Sequence, residues 1–172
     1  ARSIASTNGG SRLSPPKISD HELLRKIGSG SYGEVWLARS VTGIHRAVKI
    51  VDRSHFQDDE PYQREFEGIR RFEPVSREHI GLMDILHVGR DDDAGFFYYV
   101  LELADDDGSE KHRTSDLEAP RPHIDLKTFT PKTLKSILRR SRSLRSHERF
   151  GLATSECLEL AITLTSALAH LH

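Results

Sequence analysis

The sequence predicts an α+β fold in which a five-stranded antiparallel sheet and one packed helix are followed by further helices. Two observations carry this prediction. Five short segments rich in apolar, β-branched and aromatic residues, separated by turn residues, occupy the chain up to residue 103. Apolar residues recur at helical spacing over 61–72, after residue 130 and over 155–172. Strands grouped ahead of most of the helices favour an α+β chain.

The composition excludes several classes of protein. The chain has 172 residues, of which 36% are hydrophobic and 30% charged, and its net charge of -1 gives no general attraction to nucleic acid or membrane. No apolar run reaches the roughly 20 residues of a membrane span, and the N-terminus shows no signal-peptide core. One cysteine excludes an intramolecular disulfide framework and fits a reducing compartment, so we expect a cytoplasmic location.

The first motif is a glycine loop with the pattern Gly28-x-Gly30-x-x-Gly33-x-Val35. A glycine allows backbone N–H groups to approach a phosphate without a Cβ in the way, and it tolerates a positive φ in a tight bend. Dinucleotide-binding folds use the same three glycines, so the pattern alone does not identify the ligand.

The residues after the glycines decide between the two kinds of loop. The dinucleotide loop leads into a helix and has an acidic residue about 20 positions on, where Asp52 is a match. Here 34–38 is β-branched, aromatic and apolar, 41–43 marks a turn, and 45–51 is strand-like. The sequence therefore predicts a glycine loop inside an antiparallel hairpin. A P-loop is excluded, because Gly33 is not followed by Lys and Ser or Thr.

The second motif is a lysine in the alternating apolar strand predicted over 45–51. The two-residue period places Ala47 and Lys49 on one face and Val48 and Ile50 on the other. One face then offers a small residue beside an ammonium group, which suits a flat ring followed by a phosphate chain.

Together, Gly28-x-Gly30-x-x-Gly33-x-Val35 and Ala47-Val48-Lys49 resemble the small lobe of the protein kinase family, most closely the eukaryotic-type serine/threonine kinases of bacteria. The resemblance implies ATP beneath the glycine loop and Lys49 on its α- and β-phosphates. The nucleotide-binding residues that it implies are Ile27, Gly28, Ser29, Gly30, Ser31, Gly33, Val35, Ala47, Lys49, Leu101, Glu102 and Ala104.

A helix is predicted over 61–72. Acidic residues at 58–60 and Pro61 favour a helix start, and an apolar face follows at Tyr62, Phe66 and Ile69. Glu65 lies at the edge of that face.

By the resemblance this is the C helix of a kinase, and Glu65 is the residue that pairs with Lys49 and serves catalysis with it. A solvated surface role for Glu65 is the alternative. Glu67 is the rival partner, but Arg71 stands four residues after it, where the core requires an apolar side chain.

Two more strands are predicted, over 81–89 and 96–103. In kinases an apolar strand that ends in an acidic residue leads into the hinge. The resemblance then implies that Leu101 is the gatekeeper and that the backbone of Glu102 and Ala104 bonds the adenine edge.

The predicted organisation is a disordered leader (1–19), a kinase small lobe with its hinge (20–104), a polar insertion (105–128) and the first helices of the large lobe (129–172). Thr130 and Pro131 are expected to begin the first of these helices, with Phe129 stapled onto Leu134. Its predicted buried face is Leu134, Ile137 and Leu138.

The last helix is predicted over 155–172, and Cys157 is expected to be a core thiol. Residues 132–149, which begin in the first of these helices, hold seven basic side chains and one acidic one. A patch that binds nucleic acid is one interpretation, but no aromatic residues lie among the basic ones for base stacking, so a solvated helix face is favoured.

The chain contains no His-Arg-Asp and no Asp-Phe-Gly, the kinase motifs for the substrate-orienting aspartate and the metal ligands. We therefore expect a piece of a longer kinase that transfers the ATP γ-phosphate to Ser or Thr hydroxyls of a protein substrate. Mg²⁺ is expected in the complete kinase only, and these 172 residues alone are expected to be catalytically silent. A pseudokinase-like nucleotide-binding or scaffold module is the alternative. In either case the leucine-rich face of 158–171 should be unusually exposed.

Overall fold

The structure, a computed structural model, describes residues 14–108, 125–144 and 152–171. The strands are β1 (His21–Gly30), β2 (Gly33–Ser40), β3 (His45–Asp52), β4 (Ile85–Asp91) and β5 (Phe96–Leu101). They form one antiparallel sheet in the order β1-β2-β3-β5-β4. The predicted α+β class with a five-stranded antiparallel sheet is confirmed.

Three α-helices lie in the described part of the chain: α1 (Asp59–Val75), α2 (Leu134–Leu144) and α3 (Thr154–His170). A short 3-10 turn, Arg53–His55, joins β3 to α1. None of these helices is long and apolar enough to cross a membrane.

The chain forms two compact units. The first combines the residues up to 77 with 84–102, and so contains the sheet and α1. The second combines 78–83 with the residues from 103 onward, and so contains α2 and α3.

Successive strand residues of the first unit point to opposite faces of the sheet. Buried apolar residues lie on both faces. The outer face carries Val48 and Ile50 of β3, with neighbours from the other strands in one apolar core. The helix face carries Ala47, Lys49 and Val51. Helix α1 packs on this face, where the ring centroids of Tyr62 and Phe66 each lie 5.3 Å from the ring centroid of Phe97. The predicted alternation along 45–51 and the apolar face of the predicted helix are confirmed.

Ile18 corrects the predicted boundary of the leader. Its side chain is 3% exposed and belongs to the core of the outer face, and its backbone pairs with His21. The end of the predicted leader is therefore folded, because one apolar side chain next to β1 gains enough from burial to hold it. Residues 1–13 lie outside the described residues.

The strand predicted over 81–89 begins four residues later, at Ile85, and ends at Asp91. The segment before it is a turn in the second unit, in which Leu82 N donates to His79 O and Gly81 N donates to His79 Nδ1. Backbone groups committed to this turn cannot join the sheet. The strand predicted over 96–103 is two residues shorter and ends at Leu101.

The first helix of the second unit begins at Leu134, not at Thr130 and Pro131 as predicted. Thr133 caps it, since its hydroxyl accepts from Ser136 N, while Pro131 pairs with Asp106 in an isolated bridge. That bridge joins the start of the predicted insertion to the segment just after it. Residues 109–124 lie outside the described residues. The predicted buried face is wrong in part, because Leu134 is 53% exposed and Leu138 is 37% exposed.

Helix α3 confirms the expected exposed apolar face. Only Ala167 is buried among its residues, and the exposed ones include Leu158, Ile162, Leu164 and Leu168. Cys157 is exposed as well, so the expectation of a core thiol is wrong. The helix periodicity predicted an apolar stripe, but nothing among the described residues covers it.

Candidate functional site

The glycine motif forms an antiparallel hairpin, as predicted. β1 and β2 are joined through Ser31 and Tyr32, and Gly30 is paired with Gly33 at the turn. A register shift at Ile27 makes a bulge just before the glycines. Ser29 and Ser31 are exposed. The hairpin geometry excludes the alternative in which these glycines open a helix.

The three glycines serve different needs. A Cβ on Gly33 would lie 2.0 Å from the carbonyl oxygen of Ile50, so β3 approaches the hairpin too closely for any side chain. A Cβ on Gly30 would meet nothing within 4 Å, and one on Gly28 would first meet Val35 at 3.6 Å. None of the three has a positive φ; the glycines with positive φ in the described chain are Gly43 and Gly95.

One row of residues crosses the helix face of the sheet. Gly28 lies opposite Val35, Val35 opposite Lys49, and Lys49 opposite Tyr99. Side chains that face each other in neighbouring strands lie within contact distance on one face. The strand register therefore places Lys49 in the same row of side chains as the glycine hairpin.

Lys49 and Glu65 are brought together. Lys49 Nζ lies 3.9 Å from Glu65 Oε1, and the two side chains are 26% and 33% exposed. The distance is that of an ion pair and is longer than a hydrogen bond. The rival Glu67 pairs with Arg70 on its own helix instead. The pairing of Lys49 with Glu65 is thus present in the structure, and its catalytic role stays a prediction.

Tyr99 is the third group at this point. Its side chain is nearly buried, and Lys49 Nζ lies 5.4 Å from the centroid of its ring. Burial raises the pKa of the Tyr99 phenol, and the nearby Lys49 partly opposes that rise. Tyr99 therefore stays a neutral phenol next to the ammonium group.

Arg90 on β4 holds α1 in place beside this row. Its guanidinium carbon lies 4.9 Å from the centroid of the Phe66 ring and 5.8 Å from that of Tyr62. Its Nη1 donates to Gln63 Oε1 at 2.9 Å. Cation–π contacts and a hydrogen bond to the same helix fix the rotation of α1, and hence the direction in which Glu65 points.

The outer side of the glycine hairpin carries a separate polar cluster. Lys26 donates to Glu34 Oε1 at 2.6 Å, and the indole of Trp36 donates to Glu34 Oε2 at 3.2 Å. The hydrogen bond from Lys26 is the main reason that the pKa of Glu34 is lowered, and the bond from Trp36 adds to it. This cluster ties β1 to β2 on the face opposite Lys49.

The tip of the hairpin is held by aromatic rings. Tyr32 stacks on Phe56 with centroids 5.0 Å apart, and Phe56 meets the edge of Tyr62 at 5.6 Å. Tyr62 packs on Phe97 in turn. The turn of the hairpin is thereby linked to the start of α1 and to β5.

The remaining predicted residues lie on the same sheet or just beyond it. Ala47 and Leu101 face each other across β3 and β5, and both are buried. Glu102 follows as the last residue of the first unit and is exposed. Ala104 is exposed and belongs to the second unit.

Within residues 14–108, 125–144 and 152–171, no group of three His, Cys, Asp or Glu side chains could hold a metal ion.

The comparisons with known proteins add no family. No protein-family model matches the chain, and a search of curated proteins finds no match. The interpretation of the site therefore depends on its own geometry.

Sequence reasoning missed Tyr99, Arg90 and Phe56. The signal for Tyr99 was present, since it lies two residues before Leu101 and so shares its face. What the sequence did not reveal is that β3 and β5 are neighbours, which is the fact that places Tyr99 beside Lys49. Arg90 lies one residue beyond the strand predicted over 81–89, and Phe56 lies in a connection with no periodic pattern.

Proposed function

We propose that the first unit is the ATP-binding lobe of a serine/threonine protein kinase. The observation that carries the proposal is the row from Gly28 through Val35 to Lys49, with Glu65 at 3.9 Å from the lysine. A glycine hairpin beside a paired lysine supplies two features that favour binding of a triphosphate, namely backbone donors and a fixed cation.

Lys49 is the group that would hold the α- and β-phosphates. Its charge is only partly screened, since three quarters of the side chain is buried. Glu65 keeps the ammonium from swinging away, because a long lysine side chain otherwise samples many rotamers. Such a pair contributes positioning more than stability.

In the proposal a nucleotide lies against the glycine hairpin. A side chain at Gly30 would project into open space. Gly28 has no side chain to contact Val35, its partner on the neighbouring strand. In the proposal Ile27, Val35 and Ala47 contact the adenine ring, Leu101 is the gatekeeper, and Ser29 and Ser31 present backbone N–H groups to phosphate. The backbone of Glu102 and Ala104 is proposed to bond the adenine edge.

Phosphoryl transfer needs more than these residues. A charge-assisted hydrogen bond contributes about 1.5–3 kcal/mol, whereas enzymatic acceleration requires roughly 8 kcal/mol or more. In the complete protein we propose that an aspartate and Mg²⁺ supply the difference and that the γ-phosphate passes to a Ser or Thr hydroxyl. A nucleotide-binding module without catalysis is the second candidate, and the absence of His-Arg-Asp and Asp-Phe-Gly from these 172 residues favours it for this stretch alone.

Calorimetric titration of the chain with MgATP tests the proposal, with Lys49→Met as the variant and Lys26→Met as its control. Lys26 lies on the same hairpin but pairs with Glu34 on the outer side. We expect Lys49→Met to weaken binding by about tenfold or more and Lys26→Met to change it less than about twofold. Equal affinities for the two variants would contradict the proposal.

A further inference from the structure

The contacts of Arg90 with α1 all fall within one helical turn of Glu65. The guanidinium lies over the rings of Phe66 and Tyr62, and Nη1 donates to Gln63 Oε1. Glu65 stands between Gln63 and Phe66 in the sequence of this helix. Because a helix turns as a unit over so short a distance, the contacts of Arg90 determine the side to which Glu65 points.

An exposed carboxylate sets the direction of the Arg90 side chain. Arg90 Nε donates to Asp92 Oδ1, in the turn between β4 and β5. The Arg90 side chain is 27% exposed and that of Asp92 is 74% exposed. A guanidinium is planar and holds its five N–H donors in a fixed arrangement, so a bond at Nε orients the whole group. Asp92 thereby orients the same group that contacts α1.

The turn that carries Asp92 is itself fastened. Ala94 N donates to Asp91 Oδ1 at 2.8 Å, and Arg53 N, just after β3, donates to Gly95 O at 3.0 Å. Gly95 has a φ of 70°, which glycine adopts without steric cost. The Asp92 carboxylate is therefore carried by a turn that is bonded to the end of β3.

We propose that Asp92 is a positioning residue for phosphate recognition at Lys49. It aims Arg90 at α1, and Arg90 in turn holds Glu65 beside the lysine. This inference rests on the proposed function. Neither Asp92 nor Arg90 touches the nucleotide; both act through the pair in which Lys49 Nζ lies 3.9 Å from Glu65 Oε1. Without the Asp92 carboxylate the guanidinium can turn away from α1, and the pair then opens.

The first test needs no nucleotide. A carbodiimide joins a lysine amine to a nearby carboxylate as an amide, and mass spectrometry of the digested chain measures how much of each joined pair forms. The link between Lys49 and Glu65 is the test link. The link between Lys26 and Glu34, which lie 2.6 Å apart on the outer side of the hairpin, is the control link.

The variants should lower the yield of the test link in a definite order. We expect Arg90→Leu to lower it by about threefold to tenfold, since the cation–π contacts with α1 are lost, and Arg90→Lys to lower it less, since the cation is kept. Asp92→Asn should lower it by about twofold, because an exposed ion pair contributes little. Asp93→Asn changes the next carboxylate of the same turn and should leave the yield unchanged, because Arg90 pairs with Asp92. The control link should keep its yield in every variant, whereas a general loosening of the first unit would lower both links.

The second test measures MgATP affinity by calorimetry. Arg90→Leu should weaken it by about threefold to tenfold and Asp92→Asn by about twofold. In a chain that carries Glu65→Gln, adding Arg90→Leu should weaken the affinity by less than about twofold, because the carboxylate that Arg90 positions is gone.

Three results would overturn the inference. They are a test link that forms equally in the wild type and Arg90→Leu, a parallel fall of both links, and an effect of Arg90→Leu on affinity that persists in full beside Glu65→Gln. A test-link yield for Asp92→Asn no lower than that for Asp93→Asn would overturn the role of Asp92. A wild-type chain that binds no MgATP overturns the proposed function and with it the phosphate role of Asp92. The link yields then still decide whether Asp92 and Arg90 hold Glu65 beside Lys49.

Discussion

Tyr32, in the turn of the glycine hairpin, stacks face to face on Phe56, with ring centroids 5.0 Å apart and ring planes 10° from parallel. Phe56 lies in the connection between β3 and α1 and also meets the edge of Tyr62 on that helix. The hairpin turn is thus anchored to the start of the helix that carries Glu65. A ring contact of this kind contributes about 0.5–1.5 kcal/mol beyond the area it buries.

Replacing Phe56 by Ala should loosen the hairpin turn without unfolding the sheet. We expect faster hydrogen exchange at the amides of Ser31 and Tyr32 and unchanged exchange in β3, because the strand pairing of β3 does not depend on this ring. Hydrogen-exchange mass spectrometry of the two segments measures the difference. Phe56→Tyr keeps the ring and is the control. Equal exchange at the turn in Phe56→Ala and Phe56→Tyr would show that the stack does not hold it.

Gly33 and Gly30 should respond very differently to the same substitution. Gly33→Ala would place a Cβ 2.0 Å from the carbonyl oxygen of Ile50. We expect this overlap to lower the free energy of unfolding by about 3 kcal/mol. Gly30→Ala meets no protein atom within 4 Å and should change stability by less than about 0.5 kcal/mol. Urea unfolding followed by Trp36 fluorescence measures both. In the proposed function Gly30→Ala nevertheless weakens MgATP binding, because its Cβ enters the space offered to the nucleotide. A Gly33→Ala chain as stable as Gly30→Ala would contradict the close approach of β3.

Glu34 should make the stability of the first unit fall in acid. Its pKa is lowered in the folded protein, chiefly by the hydrogen bond from Lys26. A carboxylate with a lowered folded pKa contributes stability above its unfolded pKa, and that contribution disappears as the pH falls through the folded value. The wild type should therefore exceed Glu34→Gln in stability at neutral pH, and the two should converge below the ordinary carboxyl pKa of 4.5.

Urea unfolding at a series of pH values from neutral to acid measures this convergence. Glu22→Gln is a suitable control, since Glu22 pairs with Arg39 on the same two strands but is 60% exposed. Its difference from the wild type should be small at every pH, because solvent screens an exposed pair. A constant gap between wild type and Glu34→Gln across the series would contradict the role given to Lys26.

Local patterns were sufficient to predict the hairpin, the faces of β3 and the apolar side of α1. Each depends on the spacing of residues within one segment, as for Lys49 between Val48 and Ile50 or Phe66 four residues after Tyr62. The pairing of Glu65 with Lys49 came from the family resemblance, and the packing of α1 on the helix face is what brings the two together.

The predictions were incomplete or wrong where contacts between residues far apart in the chain determine the structure. Thr130 and Thr133 both fit the start of α2, and the pairing of Pro131 with Asp106 settles it in favour of Thr133. The position of Tyr99 beside Lys49 depends on which strands are neighbours, and spacing along the chain does not encode that. Cys157 was expected in a core because it lies on an apolar helix, but α3 leaves it exposed.

Covalent labelling locates the phosphate site most directly. An ATP analogue with an acyl group on its terminal phosphate transfers that group to a lysine amine held beside the phosphates, and mass spectrometry identifies the modified lysine. The account predicts that Lys49 takes the label and that excess ATP suppresses it, while Lys26, on the outer side of the hairpin, reacts slowly with or without ATP. Labelling of Lys49 no faster than that of Lys26, or labelling that excess ATP leaves unchanged, would contradict it.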